Sequence, residues 1–184
     1  SFKYKRSFIW VSYIDILYLE RYFFKKLNFF MIPYDKRSGK IWYNGDLVEW
    51  GDVKLHVLSH GLHYGSCVFE GERVYDGTIF KLEEHTERFF HSANRMGFKI
   101  PYSKEEINEA CKKAVSIQKV KNGYVRPVAW RGSEMMAISA QKTKIHVAIA
   151  TWEWGSYFDP KLKAEGIKLN ISKWKRPSPE SIPW

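Results

Sequence analysis

Two histidines, three arginines and a run of aromatics stand at spacings suited to chemistry. His60-Gly-Leu-His63-Tyr64-Gly65 leads into Val68-Phe69-Glu70-Gly71, with Arg73 two residues on. Glycines set among aromatics suggest backbone brought close to something flat. His60 and His63 have the helical spacing of metal ligands. No carboxylate or third histidine stands at a matching distance, so they read as structural histidines and no metal site is expected. Arg88 follows Glu84-His85; on its own it reads as an ordinary helix arginine in an ion pair. Tyr124-Val-Arg126 puts the tyrosine and the arginine on one face of a strand, with Val125 opposite. A guanidinium in an otherwise apolar strand calls for an anion. A carboxylate or a phosphate suits it, because both match the planar fork. Trp152-Glu-Trp154-Gly-Ser-Tyr157 closes the next strand with aromatic surface, either core or pocket wall.

The elements that position these residues are legible from turn chemistry and periodicity. Ile41-Trp-Tyr43 and Leu47-Val-Glu-Trp50 flank Asn44-Gly45-Asp46 as a hairpin, and Val53 to Leu58 reads as another short strand. Val74-Tyr75 and Ile79-Phe80 flank Asp76-Gly77-Thr78 as a second hairpin. Lys81 to Met96 is expected as a helix with Leu82, Phe89, Ala93 and Met96 on one face, closed by Gly97. Ser103-Lys-Glu-Glu106 is a capping box, opening a helix with Ile107, Ala110, Cys111, Ala114, Val115 and Gln118 on successive turns. Two strong strands follow, Tyr124 to Trp130 and Ile145 to Trp152. Tyr157 to Glu165 reads as a connection or short helix, and Ile167 to Ile171 as a new strand. Strands interrupted by two helices argue for an α+β fold with a mostly antiparallel sheet rather than a doubly wound parallel one.

Composition narrows the function classes. Of 184 residues, 45% are hydrophobic and 27% charged, as in an ordinary folded protein. The formal charge of +10 is dispersed among acids rather than gathered on an arm, so no nucleic-acid partner is expected. No stretch reaches the ~18 uninterrupted apolar residues of a membrane span. Cys67 and Cys111 lack zinc spacing and a disulfide-rich context, and read as buried thiols of a cytoplasmic protein. Residues 1–30 differ from the rest: they lack Gly, Pro and Ala and hold eleven of the thirty-one aromatics. Their aromatics keep no sustained period. The expected division is an aromatic and basic extension over 1–30, a small domain over 31–155, and a connection over 156–184 that begins a larger domain.

Seven motifs in order carry a family resemblance. They are Ile41-Trp-Tyr-Asn-Gly45, Ser59-His-Gly-Leu-His-Tyr-Gly65, Val68-Phe-Glu-Gly71, Glu84-His85 with Arg88, Tyr124-Val-Arg-Pro127, Trp154-Gly-Ser-Tyr157 and Ile182-Pro183. Together they resemble the N-terminal part of the branched-chain amino-acid aminotransferases, which are class IV, fold-type IV pyridoxal-phosphate enzymes. The resemblance implies pyridoxal 5'-phosphate as cofactor, with branched-chain amino acids and 2-oxoglutarate as substrates. It makes Arg88 the holder of the cofactor phosphate. Arg126, with Tyr124 beside it, falls in the substrate-carboxylate region. Phe69, Tyr64, Trp154 and Tyr157 become the aromatic walls around an aliphatic side chain. In the family the tyrosine at Tyr64 is offered across a dimer interface, which implies a homo-oligomer with a shared pocket. Other class IV enzymes, the D-amino-acid aminotransferases and the lyase that makes 4-aminobenzoate, are the alternatives; a third reading is a non-catalytic fragment. Val68-Phe-Glu-Gly71 with Tyr124-Val-Arg-Pro127 favours the branched-chain group.

The family's Schiff-base lysine lies just past the Ile-Pro motif. Lys173 and Lys175 precede that motif, and the chain ends at Trp184, where the family usually has a small residue. The expectation is that no catalytic residue and no large C-terminal domain fall within these 184 residues, which would then be inactive alone. Two readings of residues 1–30 stand: Met31 is the natural start and the stretch before it a mis-called or artificial extension, or the stretch is an interfacial anchor with aromatic and basic faces. Mass spectrometry of the native protein decides between them: an N-terminal peptide beginning at Met31 supports the start-site reading, and a peptide from 1–30 overturns it.

Overall fold

A computed structural model describes residues 32–155, 160–175, 177–178 and 180–181. The expected extension over 1–30 and the Ile182-Pro183 motif lie outside the described residues. From Ser38 onward the chain forms one compact unit. Its first hairpin joins β1 (Lys40–Tyr43) to β2 (Asp46–Glu49). The turn is the two residues Asn44-Gly45, both at positive φ (50° and 104°), the conformation that matches the twist of flanking strands. Asn44 also stitches the hairpin to the sheet. Its Oδ1 accepts from the Val147 backbone N–H at 2.9 Å, and its own N–H donates to the Val147 carbonyl.

A short helix α1 (His60–Tyr64) precedes strands β3 (Cys67–Phe69), β4 (Glu72–Tyr75) and β5 (Thr78–Ile79). Asp76-Gly77 repeats the positive-φ turn between β4 and β5. Helix α2 (Leu82–Arg95) buries Leu82, Phe89 and Ala93 as the period requires. Helix α3 (Lys104–Gln118) carries the full capping box: Ser103 Oγ accepts from Glu106 N–H, and the Glu106 carboxylate accepts from Ser103 N–H at 2.7 Å. Strands β6 (Gly123–Arg131) and β7 (Ile145–Glu153) then form the long antiparallel centre of the sheet. A last short helix, α4, spans Pro160–Glu165. The strand order is β2-β1-β7-β6-β4-β5, with β3 also on β6. The architecture is α+β, with an antiparallel sheet and α2 and α3 as its two main helices.

Alternation sorts the sheet into two faces. Val74, Val125, Ala129, Val147 and Ile149 face α2 and α3 and form the main core with Phe89, Ile107, Cys111 and Ala114. The opposite face carries a smaller cluster of Ile41, Trp50, Trp130 and Ala148. Beside that cluster the same face presents Phe69, Tyr124 and Arg126.

Three sequence expectations change. Residues 53–58 form no strand; Leu55 and Val57 are exposed. β1 is already paired on both sides, by β2 and β7, so it offers this stretch no edge, and His56 closes a turn by accepting from Leu58 N–H. Ile167 to Ile171 is not a strand either, because no described strand lies beside it, and Ile171 is open to solvent. Met96 leaves the buried face of α2: it is the exposed cap residue, followed by Gly97 at φ 72°. Of the two thiols, Cys111 is buried and Cys67 only half-buried.

One buried group works against the fold. Glu72 faces the helices, is 1% exposed, and neither carboxylate oxygen has a hydrogen-bond partner among the described residues. Burial, and secondarily the charge of Glu70, raises its pKa from 4.5 to about 8. The folded state therefore keeps this proton while the unfolded chain releases it. The contribution of Glu72 to stability falls as pH rises from about 4.5 to about 8, then levels. Replacing Glu72 with leucine should stabilise the protein by on the order of 3 kcal/mol at pH 7. It should also flatten the dependence of stability on pH. Urea denaturation between pH 5 and 9 checks this; parallel pH profiles for the two proteins would contradict it.

Candidate functional site

Strand β6 has a proline at its centre. Val128 pairs with Phe69 and Val125 with Glu72, so β3 and β4 follow one register along β6 and are separated only at Glu70-Gly71. Glu70 stands opposite Pro127 at that break. Its N–H donates to the Pro127 carbonyl at 3.0 Å, and proline has no N–H to return the bond. Beyond β3 no described strand pairs on its outer side, because β5 covers only Val74 and Tyr75. Phe69, the last residue of β3, and Glu70, which continues its pairing to Pro127, therefore sit on a free edge and project to opposite faces.

On the helix side, Glu70 is a buried carboxylate gripped by α2. Arg88 Nε donates to its Oε1 at 2.6 Å and Arg88 Nη2 to its Oε2 at 2.7 Å; His85 Nδ1 donates to Oε2 at 2.8 Å. Because a carboxylate only accepts, His85 carries its proton on Nδ1. Burial pushes the Glu70 pKa up, but the hydrogen bonds and charges of Arg88 and His85 outweigh it and hold the carboxyl below its ordinary value. The Arg88 side chain is 64% exposed, and Nη1 makes no hydrogen bond among the described residues. The Nε–Nη2 edge is turned inward, so an outside anion meets the Nη1 end of the group.

On the other face, Arg126 donates from Nη2 to the Tyr124 hydroxyl at 3.0 Å. Its guanidinium carbon lies 4.2 Å from the centre of the Phe69 ring. The expectation that this arginine is buried and needs an anion changes: it is half-buried, supported by a phenol and an aromatic face. Gly71 makes room for that phenol, since a Cβ there would come within 1.9 Å of Tyr124 Oη. Trp152 and Trp154 flank Tyr124, with ring centres at 5.2 and 5.7 Å. Arg73 Nη1 donates to the Trp154 carbonyl and ties the end of β7 to β4.

Of the residues singled out from sequence, Phe69, Tyr124, Arg126 and Trp154 thus share one face. Arg88 belongs to the opposite side of the same edge. Tyr64 closes α1 with its ring stacked on His60 at 4.5 Å. Tyr157 lies outside the described residues. His60 donates from Nε2 to the Ala137 carbonyl and bonds Ser66 through Nδ1, and His63 Nε2 bonds the Val57 carbonyl, all structural contacts. Glu70, His85 and Arg73 escaped a role in the sequence. The signal that could have found them was a carboxylate in an apolar strand with an arginine helix just downstream. The site offers two guanidinium groups either side of an open strand edge, with aromatic surface on one of them.

Removing Arg88 leaves the Glu70 carboxylate buried with one partner fewer. Arg88→Ala should destabilise the protein by about 2 kcal/mol at pH 7, below the range for a fully buried pair because the arginine is exposed. A carboxyl held low stabilises above its unfolded value and loses that stabilisation as pH falls. The difference between wild type and variant should accordingly shrink toward pH 4, as urea denaturation would read; a constant difference would contradict it.

The model of the family described as amino-transferase class IV matches residues 67–183. A branched-chain-amino-acid aminotransferase of Pseudomonas aeruginosa is 49% identical over 144 residues, which cover 76% of this chain and 47% of that protein. The Escherichia coli K12 branched-chain-amino-acid aminotransferase is 36% identical over 153 residues, covering 80% and 50%. Among solved structures, the T.th. branched-chain amino acid aminotransferase with pyridoxamine 5'-phosphate superposes with a TM-score of 0.73 at 38% identity. The match covers 80% of this chain and 50% of that one. The chain spans about half the length of the curated relatives it matches.

Proposed function

The chain belongs to the class IV amino-transferases, and on that premise we propose that it is the N-terminal half of a pyridoxal-phosphate-dependent branched-chain amino-acid aminotransferase. The reaction is transfer of the amino group of L-leucine, L-isoleucine or L-valine to 2-oxoglutarate. The observation that carries this reading is the pair of arginines bracketing the free edge at Phe69-Glu70. Residues 31–155 form the small domain in this reading. Residues 156–184 lead into the large one, and residues 1–30 are an extension outside the catalytic unit. No helix among the described residues is long and apolar enough to cross a membrane, and we place the protein in the cytoplasm.

Each residue has a physical task. Arg88 binds the cofactor phosphate through the exposed end of its guanidinium. Arg126, held by the Tyr124 hydroxyl, binds and orients the substrate carboxylate. Phe69 and Trp154, with Tyr157 and with Tyr64 of the partner subunit, exclude water and surround the aliphatic side chain. Such a wall discriminates by shape, at about 1–3 kcal/mol per methylene. The bound cofactor supplies the electron sink for the substrate α-carbon. The cofactor-anchoring lysine, which also moves the proton, falls beyond Trp184 by the family pattern. A homo-oligomer would complete the shared pocket.

The 184-residue chain alone should show no transamination of L-leucine. The same sequence continued through the large domain should convert L-leucine and 2-oxoglutarate to the keto acid and L-glutamate. In that longer protein Arg126→Lys should lower kcat/KM for L-leucine by about 30-fold or more, through loss of a bidentate contact. Keto-acid assays with L-valine and D-alanine check the substrate class: preference for D-alanine would replace the branched-chain reading with the D-amino-acid one.

A further inference from the structure

Glu70 belongs to the sheet, yet both of its carboxylate oxygens bond side chains of α2. The carboxylate is 3% exposed, while the arginine it holds is 64% exposed. A free surface arginine samples many rotamers and presents its charge in no fixed direction. Here Nε and Nη2 are locked to Oε1 and Oε2 at 2.6 and 2.7 Å, and His85 braces the same carboxylate at 2.8 Å. Glu70 is itself fixed by its backbone bond to Pro127 at the break in the ladder. We infer that Glu70 is a positioning residue: it aims Arg88 so that a phosphate is met end-on, at Nη1, rather than across the Nε–Nη2 edge that Glu70 occupies. The inference rests on the reading of Arg88 as the phosphate contact.

Charge and geometry make opposite predictions for Glu70→Gln. Coulomb attraction alone predicts tighter binding of an anion, because a negative charge beside Arg88 is gone. Positioning predicts weaker binding, because the amide cannot accept both arginine bonds and its NH2 faces another donor. The loss of one directed, charge-assisted contact corresponds to about tenfold in affinity.

The test titrates the 184-residue chain with pyridoxamine 5'-phosphate, and with pyridoxamine as control, at constant ionic strength, followed by phosphorus NMR and by calorimetry. Wild type should respond saturably to the phosphate-bearing probe only. Glu70→Gln, and Arg88→Lys, which keeps the charge but cannot be held edge-on, should each bind about tenfold more weakly. The Arg88 Nε–H resonance should be protected from exchange in wild type and lose that protection in Glu70→Gln, a signature that general loosening of the sheet would not single out. Should Glu70→Gln fail to fold, Arg88→Lys decides. Equal or tighter binding by the folded Glu70→Gln variant, or full affinity in Arg88→Lys, with binding lost in Arg88→Ala, would overturn the positioning role and leave Arg88 as the contact. Unchanged binding in Arg88→Ala, or no saturable response in wild type, would remove the Arg88 reading and the inference with it.

Discussion

The missing N–H of Pro127 organises the middle of this protein. A proline inside a central strand leaves one half of a hydrogen-bonded pair unmade, and the neighbouring strand gives way at that place. β3 and β4 keep a common register on either side of it, so the interruption costs little order. It also places a carboxylate, Glu70, and a glycine, Gly71, side by side where the ladder is open. The carboxylate turns to the helices and takes hold of Arg88. The glycine leaves space on the other face for the Tyr124 phenol, which supports Arg126. Both guanidinium groups thus take their orientation from one gap in the hydrogen bonding.

Two glutamates on the helix side, Glu70 at the break and Glu72 on β4, meet different fates. Glu70 has an arginine and a histidine within hydrogen-bond reach and stays ionised although buried. Glu72, two residues along, has neither, and burial favours its neutral form. Burial of a charge is tolerated only where donors surround it, and α2 brings its donors to the strand position nearest the break. The core therefore carries one acid that organises the site and another that weakens the fold around it. Among the described residues nothing gives the second a hydrogen-bond partner.

Local chemistry was legible in the sequence and long-range pairing was not. Asn44-Gly45 and Asp76-Gly77 announce turns because left-handed backbone is cheap only for such residues, and Ser103 with Glu106 announces a helix start because the two satisfy each other's donors. The Tyr124 and Arg126 face followed from strand alternation alone. The stretches at 53–58 and 167–171 looked like strands because apolar, β-branched residues suit an extended chain. Whether a neighbour offers them a free edge is decided by residues far away in sequence. Arg88 could be named, but not its partner. An arginine on a helix is compatible with many acids, and only the folded register brings Glu70 to it.

The opposite orientation of Phe69 and Glu70 has a consequence for how this segment can vary. Side chains in a strand exchange faces with each step of one residue. With β4 held in register on β6, inserting or deleting a single residue between Glu70 and Glu72 would let the backbone of β3 pair with β6 again, but with the two roles traded. The aromatic ring would be thrust among the helices and the carboxylate set before the open face. The link at Glu70-Gly71 is thus a length-locked spacer. A change of one in its length inverts the site.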